Sequence, residues 1–124
     1  MYCVLETDTF AASAKRLKMT EDERHEITMA VSQDPLIGEA IQGTGGARKV
    51  RFGTEGRGKS YGVRVITFFP AQDVPVFLLD VYDKAEKITL SKAERNEMKK
   101  ILGGIASSYR ASVKAKVARI SESA

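Results

Sequence analysis

Apolar and polar positions change their period along this chain, and each change marks a different kind of element. Residues 2–6, YCVLE, read as a short strand. In the TDTFAASAKRLKM that follows, Phe10, Ala14 and Leu17 fall on one helical stripe, with Thr7 or Asp8 placed to cap it. Thr20-Glu21-Asp22-Glu23 then has the form of a capping box, in which the Thr and Glu side chains each satisfy a backbone amide of the other. It opens a second helix on which Ile27 and Val31 recur, and Asp34-Pro35 ends it because the residue before a proline is forced out of helical geometry. The next stretch, PLIGEAIQGTGG, is too glycine-rich to be regular throughout, although Ile37, Ala40 and Ile41 suit packing.

From Ala47 the period drops to 2. Val50 and Phe52 fall on one side of a strand, and Ala47, Lys49 and Arg51 on the other, which sets two cations side by side. YGVRVITFFP, residues 61–70, is β-branched and aromatic and reads as a second strand. VPVFLLDVYD, residues 74–83, is so continuously apolar that it suits a central position. Ser91-Lys92-Ala93-Glu94 is another capping box and opens a helix through Met98, Ile101 and Leu102 toward Gly103-Gly104. Residues 105–120, IASSYRASVKAKVARI, suit a further helix with a basic face, and the final SESA is expected to fray.

With 124 residues the chain has room for one core-bearing domain and not for two. The lone Cys3 has no disulfide partner; its apolar setting points to a buried structural thiol and its solitude to a reducing compartment. No run reaches the ~18 apolar residues of a membrane span, and MYCVLETD lacks the basic start of a signal peptide, so a cytoplasmic location is expected.

Charge is segregated behind the net value of +4. Residues 1–43 carry −4, residues 44–70 carry +5, residues 71–90 carry −2 and residues 91–124 carry +5. Such asymmetry favours a polyanionic partner.

Two motifs test what that partner is for. GTEGRGKS, residues 53–60, fits the phosphate-cradling loop G-x-x-x-x-G-K-[ST] letter for letter. That loop must open a helix, whose N-terminus helps bind the phosphates, yet the residues that follow have strand character. The glycines are therefore expected to join two antiparallel strands. Ordinary acid–base and metal chemistry is also poorly served. His25 stands alone on the polar side of a helix, the usual zinc spacings are missing, and Asp80 and Asp83 are acids near a strand end.

What does stand out is a set of cations on adjacent strands, Lys49 and Arg51 on the first, Arg64 on the second, and Lys84 and Lys87 just after the third, with Tyr82 beside them. Antiparallel pairing brings them toward one end or face of a small sheet. Such a cluster can grip a phosphodiester and stabilise the added charge of its pentacovalent transition state, at ~3–4 kcal/mol per well-placed donor. Attack by an RNA 2′-hydroxyl on its own phosphate would need no metal.

At these residues the chain resembles the RelE/ParE superfamily of bacterial toxins, and within it the HigB-type branch. The order GTGGARK, GKSxGxRV and VYDK carries the likeness, which runs from about residue 2 to residue 102. The resemblance implies an α+β, RelE-like fold over residues 1–102, a small twisted antiparallel sheet with two N-terminal helices packed on it and a C-terminal helix. Residues 103–124 form a basic extension outside the likeness. It implies the toxin of a type II toxin–antitoxin pair: a metal-independent endoribonuclease, without cofactor, that cuts mRNA in the ribosomal A site and is silenced by a cognate helix-turn-helix, HigA-like antitoxin. Lys49 and Arg51 match paired basic positions that bind phosphate or assist proton transfer. Arg64 matches an arginine that stabilises the transition state, Lys84 a basic residue that serves the leaving group, and Tyr82 is placed to stack on a base. Arg48, Arg57, Lys59 and Lys87 are expected to contact RNA or the ribosome.

The same likeness carries an alternative, the ParE-type toxins that inhibit DNA gyrase by protein contact, and behind it a non-enzymatic binding module on the same fold. RelE-type toxins often carry a late tyrosine that AEKITL lacks here. The general base stays open between Lys49, another lysine and no single residue.

Overall fold

The computed structural model describes residues 1–53, 62–86 and 90–123. Its elements in chain order are β1 (Val4–Glu6), α1 (Asp8–Arg16), α2 (Glu21–Gln33), β2 (Glu39–Ala40), β3 (Arg48–Phe52), β4 (Val63–Phe68), β5 (Val76–Asp83), α3 (Lys92–Gly103) and α4 (Ile105–Ser123). The strands form one five-stranded sheet in the order β1-β5-β4-β3-β2.

Helix boundaries follow local chemistry closely. Thr7 caps α1 by accepting from the Phe10 amide at 3.2 Å, while its own hydroxyl donates to the Leu78 carbonyl at 2.8 Å, so one side chain both starts the helix and docks it on β5. Thr20–Glu23 and Ser91–Glu94 each close a complete capping box. After α1 the chain turns through Lys18 at φ 56°, and the Met19 amide reaches back to the Ala14 carbonyl at 3.0 Å. Glycine usually takes that left-handed position, but here a lysine holds it.

The sheet has a core on each face. On the first, Val50, Val65 and Val81 lie directly across from one another on β3, β4 and β5. They pack against Phe10 and Ala14 of α1 and Ile27 and Val31 of α2. On the second, Ala47, Ile66, Phe68 and Phe77 pack against Val74 and Leu102, with Met98 of α3 and Ile105, Ala106 and Tyr109 of α4 alongside. Being covered on both faces is what makes the β5 sequence read as one apolar run.

The structure departs from expectation at several points, each for a local reason. The β2–β5 part of the sheet is antiparallel, but β1 adds to the free edge of β5 in parallel, Val4 opposite Val76 and Glu6 opposite Leu78. A three-residue strand carries no signal of its direction. Cys3 is exposed, because β1 begins at Val4 and Cys3 contributes to the sheet only its carbonyl, which accepts from the Val76 amide at 2.8 Å. Ile101 is 61% exposed, since α3 turns Leu102 and Met98 inward instead. Ile37 and Ile41 do pack, in opposite cores, but Ala40 is exposed. Helix α4 runs on through Ser123 where fraying was expected. The glycine pair at 103–104 marks the break between α3 and α4, yet the first turns of α4 belong to the second core. No helix among the described residues is long and apolar enough to cross a membrane.

Candidate functional site

The helices α3 and α4 cover one end of the second sheet face, and the cations stand at the other. In the sheet register Arg51 of β3 lies directly opposite Arg64 of β4, which in turn lies opposite Tyr82 of β5. Strands sit ~4.8 Å apart and directly paired residues share a face, so these three side chains form a row across the sheet. Lys49 is two residues from Arg51 on the same face. The Lys84 amide donates to the Gly62 carbonyl at 2.9 Å, which continues the pairing one step beyond Val63 and Asp83 and turns Lys84 to the face of Tyr82. Its stem lies over Gly62, where an added Cβ would stand 2.9 Å from Lys84 Cδ. Lys49, Arg51, Arg64, Tyr82 and Lys84 are thus brought to one face.

A cavity of about 460 Å³ opens there, lined by Gly38, Glu39, Lys49, Val50, Arg51 and Arg64. Two directly opposed guanidinium groups repel, a cost of ~0.2–1 kcal/mol for like charges across a sheet. Among the described residues none forms an ion pair or hydrogen bond with the side chains of Lys49, Arg51 or Arg64, and Arg64 Nε is buried with no acceptor. A fold selected for stability alone would break up such a cluster. A group with several anionic oxygens would satisfy it.

Not every expected site residue joins the row. Arg48 alternates to the other face of β3, where its Nη2 donates to the Gly38 carbonyl at 2.7 Å, so it braces the turn before β2. Arg57, Lys59 and Lys87 lie outside the described residues, as does most of the GTEGRGKS stretch. The elements on either side of that stretch are antiparallel, with five register pairs from Arg48–Thr67 to Phe52–Val63, and it is followed by strand β4. A phosphate-binding loop opens a helix, whereas the described residues that follow this stretch form a strand, as the strand character of residues 62–69 leads one to expect. Asp80 and Asp83 are committed locally: Asp80 accepts from Ser13 Oγ at 2.6 Å and from the Val81 amide, and Asp83 accepts from the Ala85 amide. His25 is exposed on α2.

Glu39 was not legible as a site residue. It lies directly opposite Lys49 in the β2–β3 register and lines the cavity. Its signal was hidden because β2 is two residues long and follows no periodic pattern.

Tyr82 packs at the margin of the second core. Burial, reinforced by the negative charge of Asp80 and a hydrogen bond to it, pushes its phenol from the usual 10.0 up to about 12. The ring is therefore a neutral donor and a stacking surface across the physiological range. The folded state prefers the protonated phenol, so this contribution to stability is complete below pH 10 and lost as the pH rises toward 12. In a spectrophotometric titration of the folded protein, a tyrosinate step near pH 12 is expected, and Tyr82→Phe should remove it. A titration unchanged by that substitution would contradict the burial of this phenol.

No protein-family model matches the chain. Among solved structures, it is similar to the E. coli toxin RelE in its free state, in a form with two arginine-to-alanine substitutions. The TM-score is 0.47 and the identity 18%, over 68% of this chain and 84% of that one. At that level the likeness fixes neither family nor activity, and the functional reading rests on the cation row itself.

Proposed function

We propose that this chain is the toxin of a type II toxin–antitoxin pair, of the HigB-type RelE-like branch, and acts as a ribosome-dependent mRNA endoribonuclease. The observation that carries the reading is the direct opposition of Arg51 and Arg64, with Lys49, Lys84 and Tyr82 on the same face of the sheet. The scissile phosphate sits in the cavity between Lys49, Arg51 and Arg64. The RNA 2′-hydroxyl attacks the adjacent phosphorus, a bond forms from O2′ to P, and the bond from P to O5′ breaks with its electron pair on O5′. Arg51 and Arg64, placed opposite each other by the strand register, hold the non-bridging oxygens as their charge grows. Lys84 donates a proton to O5′ and recovers it from solvent. Tyr82 stacks on a flanking base. The products are a cyclic 2′,3′-phosphate and a free 5′-hydroxyl, formed without a metal or cofactor. A helix-turn-helix, HigA-like antitoxin would silence the protein, which would work in the cytoplasm.

A transcriptome-wide map of mRNA 5′ ends, minutes after induction in bacteria, tests this reading. New ends confined to translated frames, at fixed positions within codons, are the expected result. Growth arrest with DNA damage and no such ends would replace it with the gyrase-inhibitor reading, and neither effect would leave a binding module.

A further inference from the structure

Every polar side chain described around the cavity is a cation except one. Charged Arg and Lys side chains have donors and no acceptor, so none of them in that form can take the proton that the attacking 2′-hydroxyl must lose. Glu39 is the only carboxylate among the described lining residues. It stands directly opposite Lys49, on the cavity side of β2, and forms no ion pair or hydrogen bond with a described residue that would occupy its oxygens. The close approach of Gly38 to the β3 backbone, together with the Arg48 Nη2 bond to the Gly38 carbonyl at 2.7 Å, fixes where this carboxylate begins.

We propose that Glu39 is the general base of the cleavage reaction, an inference that rests on the ribonuclease reading above. A Glu39 oxygen accepts the 2′-hydroxyl proton as O2′ bonds to phosphorus. The electron pair of the breaking P–O5′ bond leaves on O5′, which is protonated by Lys84, and Glu39 afterwards releases its proton to solvent. Lys49 and Arg51 from β3 and Arg64 from β4 are the charged groups that face Glu39 across the cavity. They keep the substrate phosphate beside a negative carboxylate that would otherwise repel it.

Single-turnover cleavage of mRNA on programmed ribosomes tests the assignment. Glu39→Gln should lower the cleavage rate by about 10²-fold or more, the range for losing a positioned general base. Binding of a non-cleavable mRNA with a 2′-deoxy residue at the cut site should be unchanged or tighter, since one negative charge is gone. Glu39→Asp, which keeps a carboxylate at this position, should cut more slowly than wild type but faster than Glu39→Gln. A Glu39→Gln protein that cuts at the wild-type rate overturns the proposal and leaves the ribonuclease reading standing. A wild-type protein that cuts nothing on the ribosome overturns both.

Discussion

Arg64→Ala is expected to reduce mRNA cleavage by about 10²–10³-fold, the cost of losing one preorganised donor to a charge that develops in the transition state. Arg64 sits in the middle of the row, opposite Arg51 on one side and Tyr82 on the other, and its Nε is buried with no acceptor among the described residues. An anionic transition state provides that acceptor. The substitution costs the fold little. It removes some packing of the arginine stem but also relieves the repulsion from Arg51, so the unfolding free energy should stay within about 1 kcal/mol of wild type. Thermal melts and single-turnover cleavage on the same preparation separate the two effects. A stable Arg64→Ala protein that still cuts would remove the reaction from this face of the sheet.

Gly38→Ala should damage both the fold and the site. Gly38 has φ +93°, which an L side chain rarely adopts, and a Cβ there would fall on the Lys49 carbonyl oxygen and stand 2.9 Å from Val50 Cβ. The left-handed backbone costs ~1–2 kcal/mol and the overpacking a further ~1–3 kcal/mol. Relief requires β2 to draw away from β3, which takes Glu39 from its place opposite Lys49. A loss of about 2–5 kcal/mol in a denaturant titration is expected, with cleavage reduced even at temperatures where the variant is folded. Gly53→Ala is the control, because a Cβ at Gly53 meets nothing within 4 Å. Wild-type stability for Gly38→Ala would mean that β2 and β3 do not approach so closely.

Sequence by itself determined what depends on near neighbours in the chain. Thr7, Thr20 and Ser91 start their helices with side chains that bond amides three residues on, and those contacts are complete within one turn. Alternation from Ala47 to Phe52 placed Lys49 and Arg51 on one face, and the strand character after residue 61 argued against a phosphate loop in the glycine-rich stretch. The gathering of cations from three strands was legible too, because successive strands with no room for a crossover helix must pair antiparallel.

Tertiary structure decided the rest, because those features depend on register and on which faces the helices cover. Nothing local says that Arg51 meets Arg64 while Arg48 turns away to brace Gly38, or that β1 joins β5 in parallel. A strand shifted by one residue would exchange the cavity face for the core face and bury the arginines. Glu39 became a site residue only through the pairing of a two-residue strand with β3. Exposure was decided at the same level: Cys3 and Ile101 are apolar enough for a core, but β1 begins after the first, and the rotation of α3 gives the inward position to Leu102 instead of the second.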